Sequence, residues 1–140
     1  MIVLIDTSVL LPALWRQHKS HAKAKAYLDE VRRRHEVAIS AHGLAELFAG
    51  LTGKAKYRPA EVLETLRWVR SRFVVQPLAV YDYMDVIEDA VERNVLGGGI
   101  YDALHARAAA KAGASKIAHG DKRSYPHLWS ASKLVTPLAP

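Results

Sequence analysis

The chain contains no cysteine. That excludes a disulfide scaffold, a thiolate zinc site and a cysteine nucleophile, and it suits a reducing cytoplasm. Long apolar runs are missing as well. No stretch approaches the roughly 18–20 residues that a membrane helix needs, so no membrane association is expected. The first residues, Met-Ile-Val-Leu-Ile-Asp, carry no basic region, and Asp6 breaks the apolar run, which is not the pattern of a secretory leader. There is no internal repeat, low-complexity tract or linker. The 140 residues, half of them apolar and 24% charged, read as a single globular domain over 1–140.

Acids are scarce relative to bases: 14 Asp and Glu against 20 Lys and Arg, a net charge of +6. The isoelectric point near 9.7 favours an anionic partner, most simply nucleic acid. The imbalance is uneven. Asp82, Asp85, Glu88, Asp89 and Glu92 crowd one stretch, while bases cluster at Arg32 to Arg34, at Lys54, Lys56 and Arg58, and at Arg67, Arg70 and Arg72.

What the chain does have is a regular alternation of short apolar runs and amphipathic stretches. Ile2 to Ile5 is a continuous apolar run, the mark of a buried parallel strand. Val37 to Ile39, Phe73 to Val75 and Lys116 to Ala118 repeat the pattern, and Leu134-Val135 is a candidate fifth strand. Between them the periodicity predicts helices. Thr7 and Ser8 offer caps for the first, which Pro12 disturbs. Residues 19–34 follow, with Ala22, Ala26, Tyr27 and Val31 as an inner face. In 43–52, Leu44, Leu47, Phe48 and Leu51 fall at i, i+3, i+4 and i+7. Pro59 opens a helix to Arg72 with Val62, Leu66 and Val69 on one face. Residues 81–93 place Met84, Ile87 and Val91 inward and the acidic cluster outward. After a mobile connection through Gly97, Gly98 and Gly99, an Ala-rich helix runs over 101–112 and stops at Gly113, with Arg107 and Lys111 marking its solvent side. Strands alternating with helices indicate an α/β fold: a central, mostly parallel sheet of four to five short strands with helices on both faces.

In such sheets the ligand crevice lies beyond the carboxyl ends of the strands. Asp6 ends the first strand and Asp121 follows the fourth by three residues, so both face that crevice. Asp102 opens a helix, where the positive dipole end tolerates a carboxylate. Glu46 lies about 160–200° from the apolar stripe of its helix, among the small Ala45, Ala49 and Gly50. Read singly, Glu46 is an exposed acid and Asp102 a helix-start acid. Together, acids gathered at one crevice repel each other when desolvated, and a divalent cation resolves the repulsion. An all-oxygen set suits Mg²⁺ or Mn²⁺ rather than zinc. His105 and His119 are further candidates, as ligands to a softer metal.

These pieces resemble the PIN-domain family, and within it the VapC-type ribonuclease toxins of bacterial toxin–antitoxin pairs. The matching segments are Ile5-Asp6-Thr7-Ser8, Ala45-Glu46-Leu47, Tyr101-Asp102-Ala103-Leu104 and Gly120-Asp121-Lys122-Arg123, in order and spread over nearly the whole chain. The resemblance implies a PIN-like three-layer fold and a metal-dependent endoribonuclease toxin that a cognate VapB-like antitoxin neutralises. It implies Asp6, Glu46, Asp102 and Asp121 as the catalytic, metal-holding acids. Asp6 and Asp102 would be the most direct ligands, and Ser8 would orient Asp6. Hydrolysis would leave 5′-phosphate and 3′-hydroxyl ends. Lys54, Lys56, Arg58, Lys122 and Arg123 are candidates to hold the RNA backbone, and a homodimer is implied. His119 stands where the family often has Thr or Ser, as an auxiliary position beside the last acid, and Tyr125 where Phe is common. Two other readings remain. An aspartate-nucleophile phosphatase also carries an Asp after strand one, but Ser8 stands where its second Asp belongs. A non-catalytic RNA- or partner-binding module would keep the fold without the chemistry.

Overall fold

The structure, a computed structural model, describes residues 1–120 and 134–138. Its strands are β1 (Ile2–Ile5), β2 (Glu36–Ser40), β3 (Val74–Gln76), β4 (Lys116–Ala118) and β5 (Leu134–Val135). They form one sheet in the order β3-β2-β1-β4-β5, with every pairing parallel. The helices are α1 (Thr7–Leu14), α2 (His21–Arg34), α3 (Ala41–Ala49), α4 (Pro59–Arg72), α5 (Val80–Glu92) and α6 (Gly99–Ala112). A π-helical turn, Gly50–Lys54, continues α3.

The strands bury both faces, and their side chains alternate between two cores. Val3, Ile5, Val37, Ile39 and Ala118 join Val9, Leu10, Leu28, Val31, Leu47 and Val69 on the side of α1 to α4. Leu4, Ala38 and Ile117 point the other way, onto Ala106, Ala108 and Ala109 of α6. Methyl side chains allow α6 to lie close against the sheet, and the left-handed Gly113 (φ 72°) ends it as expected. The three layers expected from the sequence are therefore present, and the carboxyl ends of all five strands lie on one side.

Several expected faces are turned. The cap of α1 is Asp6 itself, whose side chain accepts from the Ser8 N–H, not Thr7 or Ser8. The inner face of α2 is Ala24, Leu28 and Val31, while Ala22 and Ala26 are exposed. Phe48 is 43% exposed, while Leu47 and Leu51 point inward.

The largest correction concerns α5. Its buried residues are Asp82, Val86 and Ala90, whereas Met84, Ile87 and Val91 are exposed. The reason lies in its partner. α5 packs on α6, whose Arg107 and Lys111 turn into the contact instead of outward. Asp82 accepts from Lys111 Nζ at 2.7 Å, from Arg107 Nε at 2.9 Å and from the Ala79 N–H at 2.8 Å. Burial alone would raise its pKa. The Lys111 hydrogen bond, the Ala79 N–H and the Arg107 contact overcome this and hold it at about 2. The acid therefore selects which face of α5 is covered.

Candidate active site

Each acid of the site is carried by a strand-to-helix junction or a helix start. β1 ends at Ile5, and Asp6 caps α1 from an extended backbone conformation. Its Oδ2 accepts from the Ser8 N–H at 2.9 Å and from the Ser8 hydroxyl. Ser8 Oγ accepts in turn from the Gly120 N–H at 2.8 Å. A Cβ on Gly120 would stand 3.3 Å from the Ser8 Cβ and 3.4 Å from its carbonyl oxygen. A glycine thus lets the segment leaving β4 approach Ser8 this closely.

β2 ends at Ser40, which caps α3 by accepting from the Gly43 N–H at 3.1 Å. One turn later Glu46 reaches back toward Asp6, with Thr7 Oγ1 donating to its Oε1 at 3.5 Å. Asp102 sits half-buried in the first turn of α6. Asp6, Glu46 and Asp102 line one cavity of about 530 Å³ together with Thr7, Ser8, Leu11, Ala49, Gly50, Gly53 and Lys54. Of the small residues expected around Glu46, Ala49 and Gly50 form its wall and Ala45 does not. Of the basic candidates, Lys54 reaches this wall. Lys56 and Arg58 do not line it, and Arg58 pairs with Glu61 at 2.6 Å. Asp121, Lys122, Arg123 and Tyr125 lie outside the described residues. His119 is fully buried, and its backbone N–H donates to Val135.

His105 occupies the centre of this arrangement, 2% exposed. Its Nε2 lies 2.6 Å from Glu46 Oε1 and 3.7 Å from Asp6 Oδ1, and its Nδ1 lies 2.9 Å from Ser40 Oγ. A carboxylate only accepts, so Nε2 carries a proton and donates to Glu46. Burial would lower the pKa of His105. The hydrogen bond to Glu46 and the charges of Asp6, Glu46 and Asp102 prevail and raise it above 6.5. His105 is therefore a partner of the acids and not a member of a histidine metal set. Residue reading missed Ser40 and this role of His105. The available signal was that His105 shares a helix face with Asp102 three residues before it.

Among the described residues, no three His, Asp or Glu side chains stand close enough to hold an ion as they are. The fit to a divalent cation is one of donor chemistry. Three carboxylates line one crevice whose lining holds no thiol and no imidazole, the set that suits Mg²⁺ or Mn²⁺.

A model of the PIN domain family matches residues 3–127. The chain belongs to that family. Ribonuclease VapC27 of Mycobacterium tuberculosis is 31% identical over 108 residues, covering 76% of each chain. Two solved structures share the fold at 18% identity. VapC20 of Mycobacterium tuberculosis, a sarcin-ricin loop cleaving toxin, superposes with a TM-score of 0.72 over 89% of this chain and 94% of its own. VapBC2 of Rickettsia felis, bound to a DNA fragment from its promoter, gives 0.70 over 97% and 98%.

Proposed function

We propose that this chain is a divalent-metal-dependent endoribonuclease, the toxin of a toxin–antitoxin pair acting in the cytoplasm. The observation that carries the reading is the gathering of Asp6, Glu46 and Asp102 in one crevice at the carboxyl ends of the strands. With Asp121, these residues would hold Mg²⁺ or Mn²⁺. Bound there, the cation supplies polarisation of a phosphoryl oxygen and a more acidic water.

The protein's own groups do the remaining work. Ser8, itself held by the Gly120 N–H, fixes the carboxylate of Asp6. Lys54 offers a positive charge at the crevice wall for the RNA backbone, joined in the proposal by Lys56, Arg58, Lys122 and Arg123. The N-termini of α1, α3 and α6 open at the same end, where their positive dipole ends favour a phosphate. Tyr101, exposed and stacked on His42 at 5.3 Å, presents a ring to an unpaired base.

The partners follow from the same chemistry. An acidic crevice accepts an Arg or Lys from a VapB-like antitoxin segment, a charge-assisted pairing that would occlude the carboxylates. A second copy of the chain suits the exposed stripe on α5.

Expression in a bacterial host tests the reading. The native chain is expected to arrest growth and to leave cellular RNA fragments with 5′-phosphate ends. Asp6→Asn is expected to relieve the arrest, and so is co-expression of the neighbouring antitoxin gene. Equal arrest by Asp6→Asn, with no new RNA ends, would overturn the assignment.

A further inference from the structure

We propose that His105 is the positioning residue of the acidic site, holding the Glu46 carboxylate in the orientation that serves the cation. The assignment rests on the function proposed above and deepens it. Glu46 rides on an exposed flank of α3 and is itself 30% exposed, so its torsions are not fixed by packing. Its two hydrogen bonds among the described residues, from Thr7 Oγ1 and His105 Nε2, both fall on Oε1. The Thr7 contact is long. The His105 contact, at 2.6 Å and charge-assisted, is the strong one. Glu46 lines the crevice, and we assign its other oxygen, Oε2, to the cation or its water.

The imidazole is well placed to act as a fixed arm. It is buried on every side and cannot swing. Its far nitrogen is tied to Ser40 Oγ, which is fully buried and already held by the Gly43 N–H. The chain of contacts thus runs from the α3 backbone through Ser40 and His105 to Glu46. It links the end of β2, the interior of α6 and the middle of α3. Acidic ligands are commonly oriented by such a hydrogen-bonded partner, and loss of the partner typically costs about 10–100-fold in metal affinity or activity.

The test compares three variants of purified full-length protein by calorimetric Mn²⁺ titration and by the Mn²⁺ dependence of RNA cleavage. His105→Gln keeps a donor at the position of Nε2. His105→Asn keeps a partner for Ser40 and loses Glu46. His105→Leu loses both. The Asn and Leu variants are expected to bind Mn²⁺ about 10–100-fold more weakly, and the Gln variant to recover most of the affinity. If the Leu variant fails to fold, the Gln and Asn pair decides, since both retain a polar atom in the buried site. Native-like Mn²⁺ affinity in His105→Asn, or equal losses in Asn and Gln, would overturn the assignment while leaving metal-dependent cleavage by the native protein intact. A native protein that neither binds Mn²⁺ nor cleaves RNA would overturn both this assignment and the function beneath it.

Discussion

Asp82 and His105 are two buried ionisable residues that play opposite parts. Asp82 joins α5 to α6 through Lys111, Arg107 and the Ala79 N–H, far along α6 from the crevice, and its role is structural. Its pKa falls from 3.8 to about 2 in the folded chain. A lowered folded-state value means that the carboxylate stabilises the fold above the unfolded pKa, and that this contribution fades as pH falls from about 4 toward 2. Denaturant unfolding at a series of pH values is therefore expected to show a native chain that loses stability across that window. Asp82→Asn is expected to be less stable at pH 7 and flatter between pH 4 and 2. Parallel pH profiles for the two proteins would remove Asp82 from its assigned role. His105 instead gathers acids around itself. Its local sequence shows only that it shares a helix face with Asp102; its partners Ser40 and Glu46 stand 65 and 59 residues away.

Among the elements, the strands and the crevice-bearing junctions were readable from the chain, and α5 was not. Short, largely apolar runs over 2–5, 37–39, 73–75 and 116–118 have few alternatives to a buried parallel sheet. Parallel pairing then brings Asp6 and the ends of β2 and β4 to one side without further information. The face of α5 needs more. Periodicity assumes that the apolar stripe points inward, but charge pairing with α6 buries Asp82 and leaves Val80, Met84, Ile87 and Val91 exposed at i, i+4, i+7 and i+11. An apolar helix stripe in water is more stable when covered. We assign its cover to a second copy of the chain. Sedimentation equilibrium is expected to show a dimer that Ile87→Glu weakens by tenfold or more, about the loss of one interface anchor. Thermal stability of the monomer is expected to shift by only about 0.5 kcal/mol, as for other exposed positions. An unaltered association constant would free the stripe from this role.

At the scale of the whole molecule, charge is divided by the topology. α2 and α4 end where β2 and β3 begin, so Arg32 to Arg34 and Arg70 to Arg72 lie at the opposite end of the sheet from the carboxylates. The crevice end sets its acids in one cavity with Lys54, beside helix N-termini. This polarity was hidden in the net charge of +6, which points to an anionic partner without saying where the partner's phosphates would meet the acids. Among the described residues, no helix is long and apolar enough to cross a membrane. The central claim is that this crevice hydrolyses RNA with the help of a divalent cation. Its most direct test is the cleavage rate of a long RNA by the purified chain, measured with Mn²⁺, with EDTA and after Mn²⁺ is restored, beside Asp102→Asn under the same conditions. Cleavage that EDTA abolishes and Mn²⁺ restores is expected, with a loss of at least about 100-fold in Asp102→Asn, the scale of losing one preorganised group that stabilises a transition state. RNA that is bound and released uncut in all three conditions, or cut equally by native and Asp102→Asn chains, would contradict it.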